Sequence, residues 1–159
     1  MLTVISDLLT ALLQLLKQFH LTTNDYQKHL LYERLQDGID ADIDRIKEIA
    51  LACGYPEDIA DATKSLSKAA QITTEFTDIV ELEQQTIKEI NKIINKLNGE
   101  NNEKNIVLDE VFNEQTAKEA IINMLGDIAE KRTRDIYLLR FDKWANSNWK
   151  ISSSKYGKI

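Results

Sequence analysis

A chain of 159 residues, 43% hydrophobic and 29% charged, has the size and composition of one soluble domain with a substantial core, which excludes a disordered or fibrous protein. Its formal net charge of -6 works against a strong sequence-independent grip on nucleic acid, which depends on releasing counterions with Lys and Arg, and favours attraction of cations. Cys53 is the sole cysteine, so no intrachain disulfide can form and a reducing cytoplasm is the expected compartment, while one Pro and five Gly among abundant Leu, Ile, Ala, Lys and Glu predict an all-α fold.

Residues 2 to about 20 form the first predicted helix, with Leu2, Ile5, Leu8, Leu9, Leu12, Leu16 and Phe19 on a wide apolar face. Its leucines resemble a signal core only superficially. There is no basic start and no small-residue cleavage site, and Asp7, Gln14 and Lys17 interrupt the run. The segment reads as too short and too polar to span a bilayer, and too poor in positive charge for an interfacial helix, so no membrane partner is expected. Thr22, Thr23 and Asn24 make a short connection in which Thr23 or Asn24 can cap the next helix. Two helices joined so tightly form a hairpin, and His20 then ends one helix near the place where His29 begins the other.

From Asp25 to Ala52 the periodicity predicts one long helix with Leu31, Leu35, Ile39, Ile43, Ile46 and Ala50 facing the core. With Leu31 at zero on a helical wheel, that stripe spans roughly 0–120°, and His29, Glu33, Asp37, Asp40, Asp44 and Glu48 fall at roughly 160–260°. The acidic face therefore points away from the helix's own core. His29 and Glu33 are one turn apart, as are Asp44 and Glu48, but Glu33 and Asp44 are separated by about 16 Å along the axis, too far for one metal. Two copies crossing antiparallel about a two-fold axis near residues 38 and 39 bring His29 and Glu33 of one beside Asp44 and Glu48 of the other, giving two equal sites. Imidazole with carboxylates suits iron, manganese or zinc rather than calcium alone, with oxidation-active iron the sharpest option. The alternative is a solvated charged face with no ligand. Gly38 falls in the middle of this helix, at a cost of about 1 kcal/mol relative to Ala, and off the acidic face, so metal binding does not account for it.

Gly54 ends the second helix, and Pro56 to Ala70 reads as a short linking helix with Glu57, Asp58 and Asp61 at its positive end and Lys64 and Lys68 further along. Residues 75–97 form the third long helix, with Phe76, Ile79, Val80, Ile87, Ile90, Ile94 and Leu97 inward and Asn98-Gly99 as its stop. Glu81, Glu83 and Glu89 could ligate a metal inside a bundle, but that arrangement uses Glu-x-x-His, which the sequence lacks. The run Gly99 to Asn105 is polar; Asp109, Glu110 and Glu114 either favour a helix start or line a pore in an assembly. Thr116-Ala-Lys-Glu119 fits a capping box, and the last helix uses Ile121, Met124, Leu125, Ile128, Ile136 and Leu139 to about Trp144. After Ala145 the periodicity is lost and residues 146–159 read as a tail. Lys150, Lys155 and Lys158 with Trp149 and Tyr156 could touch a nucleic-acid strand, but three lysines on an acidic protein make DNA a weak expectation.

His20, eight residues, His29, three residues, Glu33, ten residues, then Asp44-Arg-Ile-Lys-Glu48 resembles the Dps-like mini-ferritins of the ferritin superfamily. The resemblance is specific over about residues 15–52 and extends less diagnostically to the run IAEKRTRDIYLL near the last helix. It implies a ferritin-like four-helix bundle over residues 1–145 with a short helix between the second and third long helices, assembled as a homo-oligomer, a hollow dodecameric cage of two-fold dimers. It further implies that Fe(II) is bound and oxidised, with hydrogen peroxide or oxygen, at ferroxidase sites between subunits. The ligands carried over are His29, Glu33, Asp44 and Glu48 as catalytic residues, with His20 as a further metal ligand. Asp40 and Asp37, near the crossing, are weaker candidates for a second cation. Two departures stand out: the segment between the histidines is shorter than in the family, with Leu21 where a Trp is usual, and Glu33 stands where Asp is commoner. The first keeps open the alternative of a ferritin-like structural or interaction protein without ferroxidase activity.

Overall fold

The computed structural model describes residues 1–99 and 114–156, with side chains described for 1–99 and 115–143. All regular elements among the described residues are helical: α1 (Leu2–Thr22), α2 (Tyr26–Gln36), α3 (Ile39–Ala52), a 3-10 turn (Glu57–Ala60), α4 (Ala62–Glu75), α5 (Ile79–Asn98) and α6 (Glu114–Tyr156). The all-α expectation therefore holds.

α1 is the central element. It packs against α2, α3, α4 and α5, and α6 closes the far side against α5 and, more lightly, α3. Surrounded in this way, α1 buries Leu2, Ile5, Leu8, Leu9, Leu12 and Leu16, and also Ala11, Leu13 and Leu15 outside the expected stripe. It is 21 residues long and apolar enough to cross a bilayer by length and composition, longer than the sequence reading allowed, but 61% of that window lies inside the protein.

The helix directions follow from the contacts at each end. The N-terminal amine of Met1 lies in the field of Lys96, so α5 ends where α1 begins. The Tyr55 phenol lies close to the backbone at Leu2, which returns the chain after α3 to the same end. At the opposite end Phe19 packs on Tyr32 with ring centroids 5.6 Å apart, and Tyr32 lies in the field of Asp142, Asp25 and Asp78. Thus α1 and α6 run one way and α3 and α5 the other, with α4 climbing beside α1 to connect them. The arrangement needs a long crossover between α3 and α5, and α4 provides it.

Several boundaries differ from the sequence reading. The expected single helix over residues 25–52 is two helices, because Gly38 adopts φ 83° in the left-handed region and interrupts the ladder between Gln36 and Ile39. That conformation is why a glycine stands there. Asp25, rather than Thr23 or Asn24, caps α2, its carboxylate accepting from the N–H groups of Gln27 and Lys28 at 2.9 and 3.3 Å. Pro56 precedes only the 3-10 turn; the linking helix starts after Asp61, which accepts from Lys64 N–H, and continues beyond Ala70 to Glu75. Phe76 therefore caps the end of α4, packed on the core as expected but not as part of α5, which starts at Ile79 with Asp78 as its cap. The last helix does not yield to an irregular tail at Ala145 but continues to Tyr156. The segment Gly99 to Asn105 beyond its first residue, Asp109 and Glu110, the side chain of Glu114, and the side chains of Trp149, Lys150, Lys155, Tyr156 and Lys158 lie outside the described residues.

Two glycines give opposite expectations. A Cβ at Gly38 meets nothing within 4 Å, so Gly38→Ala should cost only its left-handed backbone, about 1 kcal/mol. Gly126, inside α6 and equally uncrowded, should gain about 0.5–1 kcal/mol on replacement by Ala. Denaturant midpoints moving in opposite directions would bear this out; equal signs would contradict it.

Candidate functional site

The short connection between α1 and α2 brings the two histidines into contact. Their rings stack with centroids 3.9 Å apart and planes 26° from parallel. His29 Nδ1 is 2.9 Å from the backbone carbonyl of His20, and His20 Nδ1 is 3.1 Å from that of His29. A carbonyl can only accept, so both Nδ1 atoms donate and each neutral ring leaves Nε2 as its free lone pair. The His20 carbonyl belongs to the last turn of α1, where helix carbonyls lack intrahelical partners, and the His29 ring supplies one. Tyr26 stacks beyond His29 at 6.4 Å, so the pair is part of an aromatic layer over the hairpin.

The acidic face is where periodicity put it. Glu33, Asp37, Asp40, Asp44 and Glu48 are all exposed, whereas Leu35, Ile39, Ile43, Ile46 and Ala50 are buried. The break at Gly38 divides the face, leaving His29 and Glu33 on α2 and Asp44 and Glu48 on α3. Asp37, at the break, turns toward α6 and lines a cleft with Arg34, Arg132 and Arg134. Among the described residues, no three His, Cys, Asp or Glu side chains of one chain gather as a metal site.

A second polar group lies inside the bundle, and of its members the sequence reading named only Glu83, as a possible metal ligand. Glu83 of α5 is fully buried, facing Arg132 of α6, which is 2% exposed, with Nε 3.6 Å from Glu83 Oε2. Arg132 Nη2 is 3.3 Å from Asp135 Oδ2 one turn on. No donor reaches either Glu83 oxygen in hydrogen-bonding geometry, so an ionised Glu83 would be stranded. Burial, opposed by the Arg132 charge and reinforced by Asp135, raises the Glu83 pKa to about 9. Near neutral pH Glu83 is therefore held as an acid beside Arg132 and Asp135. The Asp135 pKa is also raised, by burial against the pull of Arg132. Glu81 stays exposed, and Glu89 accepts from Gln85 and Lys92 at 3.0 and 2.8 Å, so the three glutamates of α5 do not converge.

Next to this group, buried Asp42 of α3 accepts from Lys131 Nζ at 3.0 Å, and Asp127 accepts from Arg45 at 2.9 Å with Lys131 3.5 Å away. This network ties α3 to α6, elements with little other contact. The signal for both groups was present. Along α5 the buried positions are Ile79, Leu82, Glu83, Thr86, Ile90, Ile93 and Leu97, an inward stripe that includes a carboxylate. On α6, Arg132 continues the stripe of Ile121, Met124, Leu125, Ile128 and Ile136.

Glu83 sets a pH dependence. Its folded pKa lies above the unfolded carboxylate value, so the folded state holds the proton more tightly, and the contribution is full below about pH 4.5 and is lost as pH rises to about 9. Glu83→Gln, which keeps the shape without the charge, should be more stable than wild type above neutral pH by a few kcal/mol and flatter across the window. Urea unfolding from pH 5 to 9 measures this; parallel curves for the two proteins would show that Glu83 does not titrate there.

Comparisons with protein-family models, with characterised proteins and with solved structures give no match to this chain.

Proposed function

We propose that this protein is a Dps-like mini-ferritin with a ferritin-like bundle, in which ferrous iron is the substrate of ferroxidase sites shared between two copies. The observation that carries the reading is the spacing His29, Glu33, Asp44, Glu48 on the exposed side of α2 and α3, with His20 folded against His29. The helix order supports it: paired antiparallel helices joined by a long crossover are the organisation such bundles use. The imidazole chemistry fits as well. A metal-ligating histidine usually donates its other ring N–H to a carbonyl or carboxylate, which fixes the ring, and His29 Nδ1 makes that bond to His20. Its Nε2 and the carboxylates of Glu33, Asp44 and Glu48 form a nitrogen and oxygen set suited to Fe(II).

In this reading His29 and Glu33 of one copy and Asp44 and Glu48 of the other hold the ferrous ions, with His20 as an added ligand and Asp40 near the approach. Two ferrous ions give one electron each to hydrogen peroxide, whose O–O bond breaks, and two protons complete two waters. The ferric product is stored in the hollow of a dodecameric, cytoplasmic assembly. Exposed carboxylates massed on one face repel one another when two copies meet, and bound cations relieve that repulsion, so iron and assembly favour each other.

A second reading is favoured by the reciprocal bonds of His20 and His29. They clasp the α1–α2 hairpin, which is a sufficient reason for both residues in a ferritin-like structural or interaction protein.

Anaerobic oxidation of ferrous ion by hydrogen peroxide separates the two. Wild type should exceed protein-free buffer at least tenfold, and Glu33→Ala with Asp44→Ala should lose most of that rate while remaining helical. Wild-type rates equal to buffer would leave the structural reading.

A further inference from the structure

The cleft between α2 and α6, about 250 Å³, is lined by four basic side chains, Arg34, Lys131, Arg132 and Arg134, and by two acidic ones, Asp37 and Asp135, with Leu35 and Leu138 as its apolar wall. Much of this charge has no partner. Lys131 is neutralised by Asp42 and Asp127, and Arg132 by Asp135. Arg34 and Arg134, both exposed, make no ion pair among the described residues and act on Asp135 only through their longer-range fields. Arg132 is the unusual member. It is 2% exposed, and both Nε and Nη1 lack a hydrogen-bond partner. A buried guanidinium N–H without an acceptor is costly; Nε faces Glu83 Oε2 at 3.6 Å, outside hydrogen-bonding geometry, and Nη1 has no partner among the described residues.

We propose that this cleft is a binding site for a phosphoryl dianion, orthophosphate or a phosphomonoester, gripped by Arg34, Arg132 and Arg134. Planar guanidinium forks match the geometry of tetrahedral oxyanions, and a site walled on one side by the bundle core strengthens each charge-assisted bond. Arg132, with Nη1 unpartnered, stands at the inner wall of the cleft, and the two surface arginines flank it from α2 and α6. Asp37, at the edge of the cleft, opposes the anion and limits its affinity. The site belongs to a single chain, and it stands whether or not the acidic face oxidises iron.

Isothermal titration of the full chain with orthophosphate, at constant ionic strength set by sodium chloride, tests the proposal. One anion per chain should bind with a dissociation constant below the millimolar range. Arg34→Gln with Arg134→Gln should weaken it about tenfold or more, without loss of helix content because both side chains are at the surface. Asp37→Asn should tighten it about two- to threefold, a gain that a disturbed fold would not produce. Glycerol phosphate distinguishes the sources: binding of both ligands assigns the site to esters as well as the free ion, and binding of orthophosphate alone assigns it to the ion. No saturable heat with orthophosphate, or an affinity unmoved by all three substitutions, would overturn the site.

Discussion

The burial of α1 on nearly every side is the constraint on which the rest of the structure depends. Each of its fully buried leucines and Ile5 contributes about 1.5–3 kcal/mol, and the helix packs against α2, α3, α4 and α5. Such a helix leaves little room for polar atoms. Thr10 returns its hydroxyl to the Ser6 carbonyl at 2.8 Å, and Asp7, with its pKa raised by burial, remains in the field of Lys68, Lys47 and Lys64. Because α1 must be covered by α2 and α3 at once, the connection after it is short, and His20 is held against His29 as a consequence of that packing.

The interruption at Gly38 has effects on both faces of the chain. Toward the core it lets α2 and α3 each follow α1, so Leu35 and Ile39 are both buried although a left-handed residue separates their helices. Toward solvent it divides the acidic face and turns Asp37 to the arginines of α6. A straight helix would have kept Asp37 in line with Asp40 and Asp44. The same glycine that an uninterrupted wheel could not explain thus decides which carboxylates share a surface.

The interior and the surface divide the charges between them. Glu83, Arg132 and Asp135 fill the place where a bundle could hold a metal among carboxylates, but the guanidinium already provides the positive charge there. Redox chemistry at the acidic face and anion binding at the arginine cleft, as proposed, would then use different surfaces of the α2–α3 pair, with cations drawn to one and anions to the other. The Asp42, Lys131, Asp127 and Arg45 network spans the ground between them and holds α3 to α6.

Helix identity and the core face of the first half of the chain were legible in the sequence, because a 3.6-residue period of Leu and Ile is a direct record of which side is buried. The stripe from Leu35 to Ala50 and the leucines of α1 are buried as read, and the acidic face is exposed as read. Periodicity failed where polar residues occupy inward positions: Thr86, Arg132 and Asp42 were passed over, and Glu83 was weighed only as a metal ligand, because hydrophobicity alone marks a core and their burial depends on partners from other helices. It also failed at Gly38, where propensity counts the cost of a glycine but not the direction in which the chain must turn. The sequence by itself determined that this protein is helical, where its apolar stripes lie and that His29, Glu33, Asp44 and Glu48 keep one spacing. Only the tertiary structure decided that His20 and His29 clasp each other, that Asp37 faces arginines and that Glu83 is held as a neutral acid, since each depends on groups far apart in the chain meeting in a medium from which water is excluded.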